Sequence, residues 1–172
     1  FIDTAPIQTI EVAEEVEQAS LMQTVVVFTS MNAVEAVTEI LFGLVPDWQI
    51  YCIGFTTRNL VAAYFGEDSI AGTADSAAGL AKKIIKDGYA AEVFFFCGDQ
   101  RRDELPSILS EAGIVVNEIA VYETIATPHK LTEPFAGVLF YSPSAVDSFF
   151  IHNKLAEQAL AFAIGTTTAD TI

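Results

Sequence analysis

Short runs of β-branched and aromatic residues alternate along this chain with stretches in which apolar positions recur every three or four residues. The runs at 24–29, 49–54, 92–97, 114–124, 137–141 and 160–164 predict strands. The stretches at 32–42, 57–65, 74–87, 100–112 and 144–152 predict helices, with one more opening near residue 167. Val25-Val26-Val27-Phe28 is apolar at every position, the pattern of a strand covered on both faces, and the intervening helices then act as right-handed crossovers. The predicted class is α/β with parallel sheets. Gly43, Gly66, Gly88 and Gly113 each follow a helical stretch, where a residue that tolerates positive φ can end the helix. Ser30, Thr56 and Ser142 stand where a strand gives way to a helix whose first amides need acceptors. The first twenty residues carry five acids and no base, and suggest a solvated strand followed by an acidic helix.

The pattern also repeats. Residues 28–37 (FTSMNAVEAV) match residues 140–149 (FYSPSAVDSF) at the Phe, the Ser and the Ala-Val pair, an offset of 112. Ile53-Gly54-Phe55-Thr56-Thr57 recurs as Ile164-Gly165-Thr166-Thr167-Thr168, an offset of 111. Two matches in register predict two similar α/β lobes. The first copy continues through Phe96-Cys97-Gly98 and a further helix, whereas the second stops at Ile172, so the second lobe is expected to be incomplete in this chain.

Each repeated element places a small hydroxylated turn between a strand and a helix: Thr29-Ser30, Thr56-Thr57, Ser142-Pro143-Ser144 and Thr166-Thr167-Thr168, with Asn32, Gly54 and Gly165 in the same turns. Such turns offer first-turn amides at the positive end of a helix dipole, and ligands of open α/β sheets bind at the carboxyl ends of the strands. An ordinary N-cap explains any one turn; four of a kind in a duplicated pattern favour cradles for carboxylates or phosphates. Tyr122 lies in the strand-like run 119–127 between the two copies, and serves either as a packed aromatic or as a phenol facing a cleft, able to donate a proton while uncharged. Arg101 and Arg102, after Cys97-Gly98-Asp99-Gln100, are the densest basic spot. They either hold an acidic ligand group or pair with Asp103 or Glu104 on a helix surface.

Composition narrows the field. Twenty-three acids against 8 bases in 172 residues give a net charge of -15, which argues against nucleic acid and anionic membranes as partners. With 52% hydrophobic residues the chain can build a core, yet no apolar run reaches the ~18 residues of a membrane span. It has no initiator Met and no signal-peptide pattern, the expectation for a fragment of a larger cytoplasmic protein. Cys52 and Cys97 suit reduced buried thiols better than a disulfide, and neither His129 nor His152 has a second ligand at helical spacing, so no metal is expected. Dinucleotide, phosphate-loop and nucleophile-elbow motifs are missing, and no cofactor is expected.

Taken together in order and spacing, these residues resemble the uroporphyrinogen-III synthase family. The resemblance runs through Phe28-Thr29-Ser30 with Asn32-Ala33-Val34, Ile53-Gly54 with Thr56-Thr57, Cys97-Gly98 through Arg102, and Leu105-Pro106. It continues through Val121-Tyr122-Glu123-Thr124, Tyr141 to Val146, and Ile164 to Ala169. It implies two α/β lobes joined by a two-stranded connection, residues 1–126 forming the complete inserted lobe and 127–172 part of the other. It further implies a cofactor-free lyase of tetrapyrrole (haem) biosynthesis that dehydrates and cyclises hydroxymethylbilane, a linear tetrapyrrole polycarboxylate, with inversion of ring D through a spiro intermediate. The family's active-site tyrosine falls on Tyr122, and its threonine and serine turns fall on Thr29, Ser30, Thr57, Ser142, Ser144 and Thr167. Gly98 and Arg101 join the expected substrate-binding set. Met31 and Arg58 occupy turn positions where the family varies and take no role.

A monomer is expected. A non-catalytic synthase-like module that binds small anions or tetrapyrroles on the same scaffold is the alternative, and a generic two-lobed anion-binding protein a third reading. Because the chain is so acidic, binding of a polycarboxylate should rely on backbone amides, helix N-termini and neutral hydroxyls, with the acids on outer helix faces.

Overall fold

The computed structural model describes residues 7–9 and 12–172. Those of the first twenty residues that fall at 1–6, 10 and 11 lie outside this description. The chain divides into two compact units, a larger one spanning Thr9–Glu123 and a smaller one built on Thr124–Ile172.

The larger unit holds a sheet whose core is five parallel strands: β2 (Thr24–Phe28), β3 (Trp48–Ile53), β4 (Ile70–Ala74), β5 (Glu92–Gly98) and β6 (Val115–Thr124). The short strand β1 (Ile7–Thr9) adds to β6, giving the order β1-β6-β5-β2-β3-β4. Alternation along β2 decides the layers. Val26 and Phe28 pack with helices α1 (Ala13–Ser20), α2 (Met31–Leu41) and α3 (Phe55–Phe65) on one face. Val25 and Val27 pack with α4 (Ala77–Asp87) and α5 (Glu104–Glu111) on the other. A strand buried on both sides has no polar face to show, which is why this run is apolar throughout.

The strand β4 is absent from the sequence reading, and the helix expected at 74–87 starts later. Ile-Ala-Gly-Thr-Ala has little β propensity, but as an edge strand it needs only one ladder, to β3. Ser76 then caps α4 by accepting from the Gly79 amide at 3.1 Å. The acidic helix α1 is not wholly solvated either, since Val16 and Ala19 are buried. Gly43, Gly66, Gly88 and Gly113 all have positive φ, but α2 turns left-handed one residue before its glycine, at Phe42 (φ 48°). Cys52 and Cys97 are free and buried, and burial pushes both thiols up to about 11.

Helix α4 is fastened to the sheet by a polar cluster. The Tyr51 hydroxyl donates to Asp87 Oδ2 at 2.9 Å and Lys83 Nζ to the same oxygen at 3.0 Å. The hydrogen bond from Lys83, then that from Tyr51, holds the Asp87 carboxyl below its ordinary value, while burial and Asp87 push the Tyr51 phenol up. A carboxyl depressed in the folded state stabilises the fold above its unfolded value of about 4 and loses that contribution as pH falls through the folded value. Asp87→Asn is therefore expected to remove part of the stability lost between pH 5 and pH 2, measured by denaturant midpoints; an unaltered acid limb would show that the cluster does not contribute.

The smaller unit pairs β7 (Gly137–Phe140) in parallel with β8 (Leu160–Ala163), with α6 (Pro143–His152) between them and α7 (Thr166–Ala169) after them. Its core is Phe140, Val146 and Phe149. The Asn153 side chain holds the loop before β7 to α6, accepting from the Leu131 amide and donating to the carbonyls of His129 and Phe149. The repeat is structural down to its register. Val26 pairs Ile50 and Phe28 pairs Cys52 in the larger unit; Val138 pairs Ala161 and Phe140 pairs Ala163 in the smaller, at the same offsets of 112 and 111.

Candidate functional site

In the larger unit the strand-to-helix turns gather at the carboxyl edge of the parallel sheet, as the order β5-β2-β3 requires. Thr29 and Ser30 leave β2. Ser30 is extended (φ -143°, ψ 152°) and its Oγ accepts from the Ala33 amide at 3.2 Å, so the amides of Met31 and Asn32 are left without an intrahelical acceptor. Gly54 leaves β3 at φ 75°, a conformation that disfavours any side chain, and its carbonyl accepts from the Arg58 amide. No side chain caps this helix. Gly54 is thus the N-cap, and Thr56, expected there, is already in the first turn of α3. Thr56 is exposed, whereas Thr57 is buried at 6% exposure.

Tyr122 enters this edge from β6. A register shift between Cys97, which pairs Ala120, and Gly98 sets Tyr122 rather than Val121 opposite Gly98, and the Asp99 amide donates to the Tyr122 carbonyl at 3.0 Å. Bulges of this kind re-aim a side chain. The phenol ring lies against the bare Cα of Gly98: a Cβ there would sit 2.5 Å from Tyr122 Cζ and 2.7 Å from its hydroxyl oxygen. The hydroxyl oxygen lies 3.2 Å from Ser30 Oγ. Ser30, Gly98 and Tyr122 are therefore brought together from three strands.

Arg101 pairs with Asp103, as one of its two expected readings had it, but not on a helix. The helix expected at 100–112 begins only at Glu104, so Arg101 lies in the loop before it, bridging Asp103 and, on β6, Glu118. Its guanidinium is raised above its ordinary value, first by the hydrogen bond to Asp103. Two carboxylates already occupy the candidate anion ligand. Next to it is an open depression of about 380 Å³ lined by Cys97, Gly98, Asp99, Arg101, Glu118 and Ala120. Asp99 thus lies at the sheet's carboxyl edge and Glu118 within β6, contrary to the expectation that the acids keep to outer helix faces.

The other candidates lie in the smaller unit. Ser142 Oγ accepts from the Ala145 amide at 3.1 Å and lies 3.0 Å from Ser144 Oγ, repeating the cap of Ser30. Gly165 precedes α7 with no side-chain cap, and Thr166 and Thr167 are exposed. Thr168, named in the fourth hydroxylated turn but not among the expected substrate-binding residues, is 4% exposed and matches the buried Thr57 by the repeat offset.

The family profile described as uroporphyrinogen-III synthase HemD matches residues 1–172. This chain belongs to the uroporphyrinogen-III synthase family. Among solved structures, the uroporphyrinogen-III synthetase from Helicobacter pylori is similar with a TM-score of 0.71 at 18% identity, the match covering 98% of this chain and 78% of that one. A mutant uroporphyrinogen III synthase from Thermus thermophilus gives a TM-score of 0.64 at 13% identity, covering 98% of this chain and 76% of that one. At such identities these likenesses speak for the shared bilobal α/β fold. No curated protein sequence matches the chain.

Proposed function

We propose that this chain is a lyase that converts hydroxymethylbilane to uroporphyrinogen III, with Tyr122 as its proton donor. The family carries the reaction, and the site adds one observation: a phenol seated on Gly98, hydrogen-bonded to Ser30, at the sheet edge where helix amides are available. Loss of the terminal hydroxyl from the bilane leaves an electrophilic azafulvene. The phenol assists by giving its proton to the departing oxygen. What remains is control of shape, so that the substituted carbon of ring D attacks to form the spiro intermediate.

The turns at Thr29, Ser30, Asn32, Gly54, Thr56 and Thr57, with Gly98, and those at Ser142, Ser144, Gly165, Thr166 and Thr167 form the proposed substrate-binding set. Thr57 contributes through its backbone. Arg101 would meet a ligand carboxylate with its charge already offset by Asp103 and Glu118. Lobes divided at residues 126 and 127, a monomer, and a cytoplasmic setting without nucleic acid or membrane partners complete the reading. None of the helices among the described residues is long and apolar enough to cross a membrane.

The experiment is an assay with hydroxymethylbilane that separates the type III product from type I, which forms spontaneously. Type III is expected to predominate. Type I alone would end the enzymatic reading in favour of a binding module.

A further inference from the structure

Ser30 holds two positions at once. Its oxygen accepts from the Ala33 amide, which fixes the side chain as the cap of α2, and the same oxygen lies 3.2 Å from the Tyr122 hydroxyl. A serine hydroxyl has one proton and two lone pairs, so with one lone pair committed to the helix its proton and one lone pair remain for the phenol. We propose that Ser30 is a positioning residue for Tyr122. The Ala33 amide donates to Ser30, Ser30 donates to the phenol oxygen, and the phenol proton is aimed outward.

Only this direction leaves the Tyr122 proton available, because in the reverse direction Ser30 itself would consume it. The chain of donors begins at the positive end of a helix, and each bond polarises the next. Gly98 completes the arrangement, since the ring occupies the space a Cβ would need and is backed by main chain. The second copy of the repeat keeps the capping serine but sets Ser144 beside it instead of a phenol, so the cap is common to both units and the phenol is particular to one.

The inference rests on the proposed reaction for its chemical step. As the C–O bond of the bilane breaks, its electron pair goes to oxygen, which takes the Tyr122 proton and leaves as water. The Ser30 hydroxyl then stabilises the phenolate until the proton released on ring closure returns to it.

Ser30→Ala is expected to lower kcat about tenfold, the order expected for a hydrogen bond to a charged group, with KM changed less than about twofold. Ser76→Ala removes a comparable cap from α4 and should leave the rate unchanged. Ser30→Thr, which keeps the hydroxyl, should restore it. In a Tyr122→Phe background Ser30→Ala should cost almost nothing more. A full additive loss in that background, or a rise in KM in place of the fall in kcat, would overturn the proposal. A second readout is independent of activity: the Tyr122 ring-carbon resonance should move in Ser30→Ala and not in Ser76→Ala. An unmoved resonance overturns the proposal even if the wild-type chain makes no type III product, a result that would by itself count only against the reaction.

Discussion

Gly98→Val is expected to lower turnover of hydroxymethylbilane by about two orders of magnitude, the scale of a lost general acid, while the larger unit still folds. Gly98 lies in β5 without positive φ, so a β-branched residue suits its backbone and the whole cost comes from one collision. A Cβ at this position would stand 2.5–2.7 Å from two ring carbons and the hydroxyl oxygen of Tyr122. The ring must leave its seat and with it the 3.2 Å contact to Ser30. Overpacking of this kind destabilises by roughly 1–3 kcal/mol. Steady-state kinetics beside a thermal melt separate the two effects, and retained turnover in a folded Gly98→Val protein would show that the seat is unimportant.

Trp48→Ala is the substitution expected to weaken the fold most, by about 3–5 kcal/mol. The indole is buried at the start of β3, with ring centroids 5.7 Å from Phe65 and 5.6 Å from Phe96. It also donates from Nε1 to the Ala19 carbonyl at 2.9 Å, which ties the end of α1 to the sheet. Alanine removes the aromatic contacts and leaves that carbonyl with the Met22 amide alone, cutting the tie between α1 and the sheet. A melting temperature lower by on the order of 10 °C or more is expected for a unit of this size, against a shift of a few degrees if α1 were only loosely attached.

The strands of the larger unit were legible in its sequence where burial on both faces forced unbroken apolar runs, as in β2 and β5. Edge strand β4 left no such mark, because a one-sided ladder tolerates Ala71 and Gly72. The capping serines Ser30 and Ser142 were legible because they stand between a strand and a helix and recur at a fixed offset. Gly54 displaced Thr56 as a cap through its backbone angle, which composition does not reveal. At the site, Tyr122 and Gly98 could each be named from sequence, but their contact could not: it depends on a register shift between β5 and β6 that no residue pattern marks. Arg101 was misplaced on a helix for the related reason that its carboxylate partner, Glu118, comes from β6.

The two cysteines lie in different layers of the larger unit, Cys52 among the residues packed with α1, α2 and α3 and Cys97 among those packed with α4 and α5. Their strands are separated by β2, so the sheet itself keeps the sulfurs apart and no disulfide can join them in the folded unit. Burial, which pushes both thiols up, leaves little thiolate at neutral pH to react with an oxidant. The larger unit thus holds its two sulfurs as packing groups, and its stability is independent of the redox poise around it.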